Sequence, residues 1–229
     1  GKKRLRNIRP LDIQSWVDGL AAGKLAPATV GRCYRYLRSC IKSAVAWEVI
    51  SNDPFKKINL PRVPREELSF LDHKEIRKLL EKAKEPEKAL FAVLALSGLR
   101  LGEALALQWK DIDFDMKAIY VTKAYSYWGG IQEPKTASSR RAVTLLPVLA
   151  DMLLDHREHM KKHGPDDYLF QTRGLRPLDP ANARKRFDDT LTRAKLKSVT
   201  LHSLRHSFAS IMLSSGASIK ALQHALGHS

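Results

Sequence analysis

LHSLRHSFAS, residues 201–210, sets two histidines and an arginine within five positions of a segment otherwise suited to a buried helix. Leu204, Phe208, Ile211 and Met212 recur at helical spacing and mark one face as core. His202, Arg205 and His206 stand at i, i+3 and i+4, so their side chains leave neighbouring points of one helix surface. Cationic and proton-carrying groups held this close repel one another unless an anion lies between them. The stretch therefore predicts a helix with an anion site on one flank, and the remaining residues must indicate which anion.

The 229 residues suffice for one large domain or two small ones, each with a sizeable core. Lys and Arg number 40 against 24 acidic residues, a formal net charge of +16, which points to a polyanionic partner. The excess is uneven: residues 1–65 carry 14 Lys/Arg and 4 Asp/Glu, a net +10, leaving +6 for the rest. No apolar run reaches the roughly 18 residues of a membrane span. The basic start GKKRLRNIRP lacks the apolar stretch of a signal peptide. Cys33 and Cys40 are seven apart in one predicted helix, about 10 Å along its axis and too far for a disulfide. A reducing, intracellular setting follows, with both thiols expected in core packing.

Helical periodicity runs through residues 10–21 and 27–50. Ile13, Trp16, Val17 and Leu20 stripe the first helix; Val30, Tyr34, Leu37, Ile41, Val45 and Val49 stripe the second. Arg32, Arg35, Arg38 and Lys42 fall opposite that second stripe as a basic ridge, with Tyr36 among them. NDPFKKINLPRVPREEL, with three prolines and no periodicity, reads as a linker, with a boundary near residues 59–68. LDHKEIRKLLEKAK then opens as a helix capped by Asp72 and Glu75. EKALFAVLALSGL, apolar on most faces, reads as a buried central helix ended by Gly98. AIYVTKAYSYW, IQEPK and RRAVTLL read as strands, with turns at Gly129–Gly130 and Ala137–Ser139. Residues 147–163, 180–195, 202–214 and 218–226 return to helix. The expected class is mainly α with a small antiparallel β-sheet.

Four segments hold polar residues that packing leaves unexplained. SGLRLGEAL puts Arg100 at a helix start, where free N–H groups favour an anion. EPKTASSRR puts Lys135 at a hairpin tip; LHSLRHSF supplies His202 and Arg205; LGHS supplies His228. Singly, each has an ordinary structural explanation: a capping arginine, a solvated turn lysine. Histidines at i, i+4 imitate a zinc pair, as do His156, His159 and His163, but no HExxH or carboxylate cluster completes a metal site. His156, His159 and His163 are expected on a wet helix face.

Taken together, the order Arg in SGLRLGEAL, Lys in a hairpin, H-x-x-R in HSLRH and His in LGHS resembles the tyrosine recombinase, or phage integrase, family. The resemblance covers nearly the whole chain. It implies a partial helical core-binding domain over residues 1–61, a linker at 62–68, and a mixed α/β catalytic domain over 69–229, incomplete at its C-terminal end. It further implies that a tyrosine attacks a DNA phosphodiester to give a 3′-phosphotyrosine and a free 5′-hydroxyl, with neither ATP, metal nor other cofactor. On that pattern Arg100 and Arg205 stabilise the phosphorane, since a planar guanidinium donates in parallel to phosphate oxygens. Lys135 protonates the leaving oxygen, His202 is base or hydrogen-bond partner, and His228 is a further phosphate donor. Glu103 orients the site from behind, and His206 supports the helix.

The family's tyrosine should follow LGHS, and the six tyrosines present (Tyr34, Tyr36, Tyr120, Tyr125, Tyr127 and Tyr168) all precede HSLRH. Residues 1–229 are thus expected to bind double-stranded DNA without forming the covalent link. Arg32, Arg35, Arg38 and Lys42, with Arg184, Lys185, Arg186 and Arg193 in NARKRFDDTLTRAK, are the expected phosphate contacts. The resemblance also implies a tetramer on paired DNA sites in the full-length protein, no membrane partner, and a cytoplasmic, nucleoid-associated location. The competing readings are a non-catalytic DNA-binding protein on the same fold and, more remotely, a metal-dependent nuclease.

Overall fold

Pro10 and Pro27 open α1 (Pro10–Ala22) and α2 (Pro27–Ala46) at positions where a helix has no use for the missing N–H. The computed structural model describes residues 3–64, 69–126, 129–133 and 140–227. They divide into two units, Gly1–Glu67 and Leu68–Ser229, each with its own core. In the first, Ile13 and Val17 of α1 meet Val30, Tyr34 and Ile41 of α2. Ile50 and Phe55 close this core, Phe55 with its ring edge-on to Tyr34 at 5.2 Å. The stretch read as linker is thus partly structural, because Phe55 is buried and the Gln14 side chain clamps both backbone groups of Asn59. Val49 does not join the stripe: α2 ends at Ala46 and Val49 is 60% exposed. Cys40 is exposed and Cys33 half-buried, so neither thiol sits in the core; both flank the line of buried positions on α2.

The second unit is assembled around one helix. α3 (His73–Lys82) carries the expected cap, in which Asp72 accepts the Glu75 N–H at 2.8 Å and Glu75 accepts that of Asp72 at 2.9 Å. α4 (Glu87–Ser97) is buried all round from Ala89 to Ala95. It is packed by α3, α5 (Leu101–Leu105), α6 (Pro147–Glu158), α7 (Pro180–Arg193) and α8 (Leu201–Ser214). Each Leu or Phe so buried stabilises the fold by about 1.5–3 kcal/mol. Phe91 of α4 meets Phe187 of α7 edge-on at 5.2 Å. Ser207 of α8 accepts the buried Leu71 N–H at 3.0 Å, tying the entry to α3 onto α8.

β1 (Ile112–Asp113), β2 (Ala118–Val121) and β5 (Arg141–Thr144) form an antiparallel sheet in the order β1-β2-β5, with Ile119 opposite Val143 and Val121 opposite Arg141. β3 (Ala124–Ser126) and β4 (Gly130–Gln132) pair separately. The stretch AIYVTKAYSYW, read as one strand, is therefore shared between two sheets. β2 lies on the core, whereas β3 lies against α5, where a Cβ on Gly102 would stand 2.6 Å from the Tyr125 carbonyl oxygen. His156 also departs from expectation. It follows Leu149 and Leu153 at helical spacing on the buried face of α6 and is 2% exposed. Its two ring nitrogens meet the Glu85 carboxylate and the Leu169 carbonyl, both at 2.8 Å. α9 (Ile219–Leu226) packs on α8 through Leu222, Leu226 and Phe208. No helix among the described residues is long and apolar enough to cross a membrane.

Gly98 ends α4 in the left-handed region (φ +67°), and a Cβ there would lie 2.4 Å from the ring of buried Phe208. Gly98→Ala is expected to lower unfolding free energy by about 2–4 kcal/mol, from left-handed strain plus overpacking. Gly31→Ala, with open space around the added carbon, is expected to be neutral or stabilising by up to about 1 kcal/mol. Urea unfolding of the two variants beside the parent checks this, and equal midpoints would contradict it.

Candidate functional site

The turn at Gly98 delivers Arg100 to the start of α5, where its N–H donates to Glu103 Oε2 at 2.8 Å. That N–H is therefore taken. Arg100 Nη1 donates to Glu103 Oε1 at 2.9 Å, while 44% of its side chain stays exposed.

Glu103 is buried, and a second guanidinium meets it. Arg141 of β5 donates Nη1 to Oε1 at 3.1 Å and Nη2 to Oε2 at 2.8 Å. Burial by itself would raise the Glu103 carboxyl pKa, but the Arg141 and Arg100 donations outweigh it and hold the group below the usual range. The sequence reading missed Arg141. The signal was there: Arg141, Val143 and Leu145 alternate along the strand, and all three are buried. A cation in phase with buried apolar residues requires a counter-charge.

Arg205, 4% exposed, projects from α8 and donates Nη1 to the Gly98 carbonyl at 2.6 Å and Nη2 to the Leu226 carbonyl at 2.7 Å. Burial, then the Arg100 charge, draws its pKa down to about 10, which leaves it cationic at neutral pH. His202, one turn earlier, is exposed. Burial of part of its ring, followed by His206, Arg205 and Arg100, lowers its pKa. Its ring meets that of His206 edge-on at 4.9 Å.

The structure thus gathers Arg100, Glu103, His202, Arg205 and His206 from α5 and α8 and adds Arg141 from β5. Lys135 and His228 lie outside the described residues. Three guanidiniums around one carboxylate leave a local excess of two positive charges, an arrangement suited to a phosphate.

Among the basic candidates, Arg32, Arg35, Arg38 and Lys42 are all exposed on α2, as the ridge reading expected. Arg184 and Lys185 are exposed on α7. Arg186 is ion-paired with Glu87, and Arg193 donates to Thr190 Oγ1 at 2.8 Å, so these two heads are already engaged within the unit.

The profile of the phage integrase family matches residues 69–229. A tyrosine recombinase XerC-like protein of Caldanaerobacter subterraneus subsp. tengcongensis is 28% identical over 252 residues, covering 97% of this chain. The chain spans 64% of that relative's length. In fold, it superposes with a TM-score of 0.85 on the Tn1549 transposon integrase in complex with circular intermediate DNA, at 19% identity, covering all of this chain and 80% of that one. It superposes with a TM-score of 0.74 on a lambda integrase tetramer bound to a Holliday junction, at 18% identity over 98% and 65% of the two chains. With the profile match extending over most of its length, the chain belongs to the phage integrase family of tyrosine recombinases.

Proposed function

We propose that the protein is a site-specific DNA recombinase that integrates or excises a mobile element through a 3′-phosphotyrosine intermediate. Residues 1–61 are its part of the core-binding domain, 62–68 the linker and 69–229 its catalytic-domain portion. Double-stranded DNA at the nucleoid is the partner, and a tetramer on paired sites is the working assembly. The DNA-bound integrases of the same fold support this reading. The observation that carries it is the Glu103 network, in which Arg100 is tethered by one nitrogen and keeps much of its side chain exposed beside buried Arg205.

In the reaction, the phenolic oxygen of a tyrosine bonds to phosphorus as the P–O5′ bond breaks. Charge then gathers on the non-bridging oxygens, which Arg100 and Arg205 stabilise. Lys135 gives a proton to the 5′-oxygen; neutral His202 accepts or orients the phenolic proton; His228 donates to the phosphate. One phosphoester replaces another, so the bond is conserved without ATP. Arg32, Arg35, Arg38, Lys42, Arg184 and Lys185 hold the duplex through its phosphates, with Arg186 and Arg193 contributing through the heads they already share with Glu87 and Thr190.

If about 6–10 phosphates are neutralised, affinity for a mixed-sequence duplex falls by about 10³–10⁵ between 50 and 200 mM salt. Fluorescence anisotropy measures this slope, and a flat titration would overturn the proposal. His202 supplies a second check. Its pKa is lowered in the free protein by burial and by the cations around it, and a bound phosphate offsets those cations and raises it. Binding then takes up a proton, so affinity strengthens as pH falls through the histidine range, and His202→Ala flattens that dependence. Imidazole NMR with and without duplex would show the upward shift; an unmoved titration would place the anion elsewhere.

A further inference from the structure

We propose that Arg141, whose guanidinium nitrogens donate to Glu103 and to the Ala225 carbonyl, positions Arg100 for the phosphate by occupying the Glu103 fork. The inference rests on the recombinase reading above. Glu103 accepts four donations, two per oxygen: Oε1 from Arg100 Nη1 and Arg141 Nη1, Oε2 from the Arg100 N–H and Arg141 Nη2. Arg141 makes the parallel two-point contact that guanidinium and carboxylate geometry favours, and Arg100 is left with a single side-chain attachment. That asymmetry matters because Arg141's side chain is 3% exposed and Arg100's is 44% exposed. If the fork is vacated, a buried carboxylate faces Arg100 as its remaining strong partner, and the second Arg100 nitrogen turns inward to complete the pair. The donors that should meet phosphate are then withdrawn.

Arg141 also reaches a third element. Its Nε donates to the Ala225 carbonyl at 3.1 Å, next to the Leu226 carbonyl held by Arg205. Gly227 turns away from α9 in the left-handed region (φ +65°), and a Cβ there would lie 3.0–3.2 Å from three atoms of the Arg141 side chain. One planar group thus couples β5, α5 and the end of α9, the point from which the chain proceeds to residue 228. Lysine keeps the charge but has neither the fork nor the Nε contact.

The test measures affinity and salt slope for a mixed-sequence duplex, with thermal unfolding recorded for each variant. Arg100→Ala and Arg141→Met are each expected to weaken binding roughly tenfold and to make the slope shallower by about one phosphate contact. The two combined should be no weaker than Arg100→Ala alone. Arg141→Lys should behave like Arg141→Met. Arg141→Met with Glu103→Gln should recover most of the lost affinity, because Arg100 is no longer drawn inward; a purely structural role predicts no such recovery. A parent chain without duplex affinity, or Arg100→Ala with parental affinity, would sink the functional reading and this inference with it. Weakened Arg100→Ala beside a parental Arg141→Met would sink this inference alone.

Should Arg141→Met fail to fold, guanidinium NMR of the parent decides. On saturation with duplex, the Arg141 Nε–H should stay slow to exchange and unshifted while the Arg100 signals move. A freely exchanging Arg141, or one shifted like a direct phosphate contact, overturns the proposal.

Discussion

The carboxylate of Glu103 is the constraint on which the rest of the site depends. A buried carboxylate is tolerated only when its lone pairs are met, and here two arginines and one backbone N–H meet them. The consequence is geometric. Arg100 is held where α4 hands over to α5, Arg141 is drawn inward from a strand, and through Arg141 the end of α9 is fixed by the Ala225 carbonyl. Arg205 fastens the same two regions from α8, by way of the Gly98 and Leu226 carbonyls. Segments separated by more than a hundred residues thus converge on one charged centre.

Such a centre persists because its surroundings are rigid. α4 is buried on every side and contacts the helices on both flanks of the site, so Gly98 and Arg100 leave it at a defined point. Gly98 permits a left-handed turn directly beneath Phe208, and Gly102 lets β3 approach α5 at backbone distance. At either place an added Cβ would stand less than 3 Å from a neighbour and press on the segment that carries Arg100. The positive charge that remains after Glu103 is satisfied is therefore held in place by the fold.

Much of the helical framework was legible from local chemistry. Asp72 and Glu75 form the reciprocal cap that their spacing implies, Gly98 ends its helix as a left-handed glycine should, and the run from Ala89 to Ala95 is as buried as its composition suggests. The basic ridge on α2 is exposed as its helical phase required. What misled were residues whose surroundings are distant in sequence. Phe55 sits among prolines and polar residues yet closes the first core against Tyr34. His156 was assigned to water, although its spacing from Leu149 and Leu153 places it inside, where Glu85 and Leu169 receive its ring. Arg141 alternates with Val143 along its strand, and its counter-charge, Glu103, lies 38 residues away.

The helix capped by Asp72 and Glu75, the helix ended by Gly98 and the basic excess of the chain were therefore legible from sequence alone, since each rests on interactions within a few residues or on net charge. The sequence also carried the family pattern, because that pattern is an order of residue types along the chain. Tertiary structure alone decided that Arg141 completes the Glu103 pair, that Arg205 is spent partly on backbone carbonyls, and that Arg186 is tied to Glu87. The reason is physical: a charge can be neutralised by any opposite group that folding brings within about 3 Å, and which group that is depends on how helices and strands pack, not on their order in the chain.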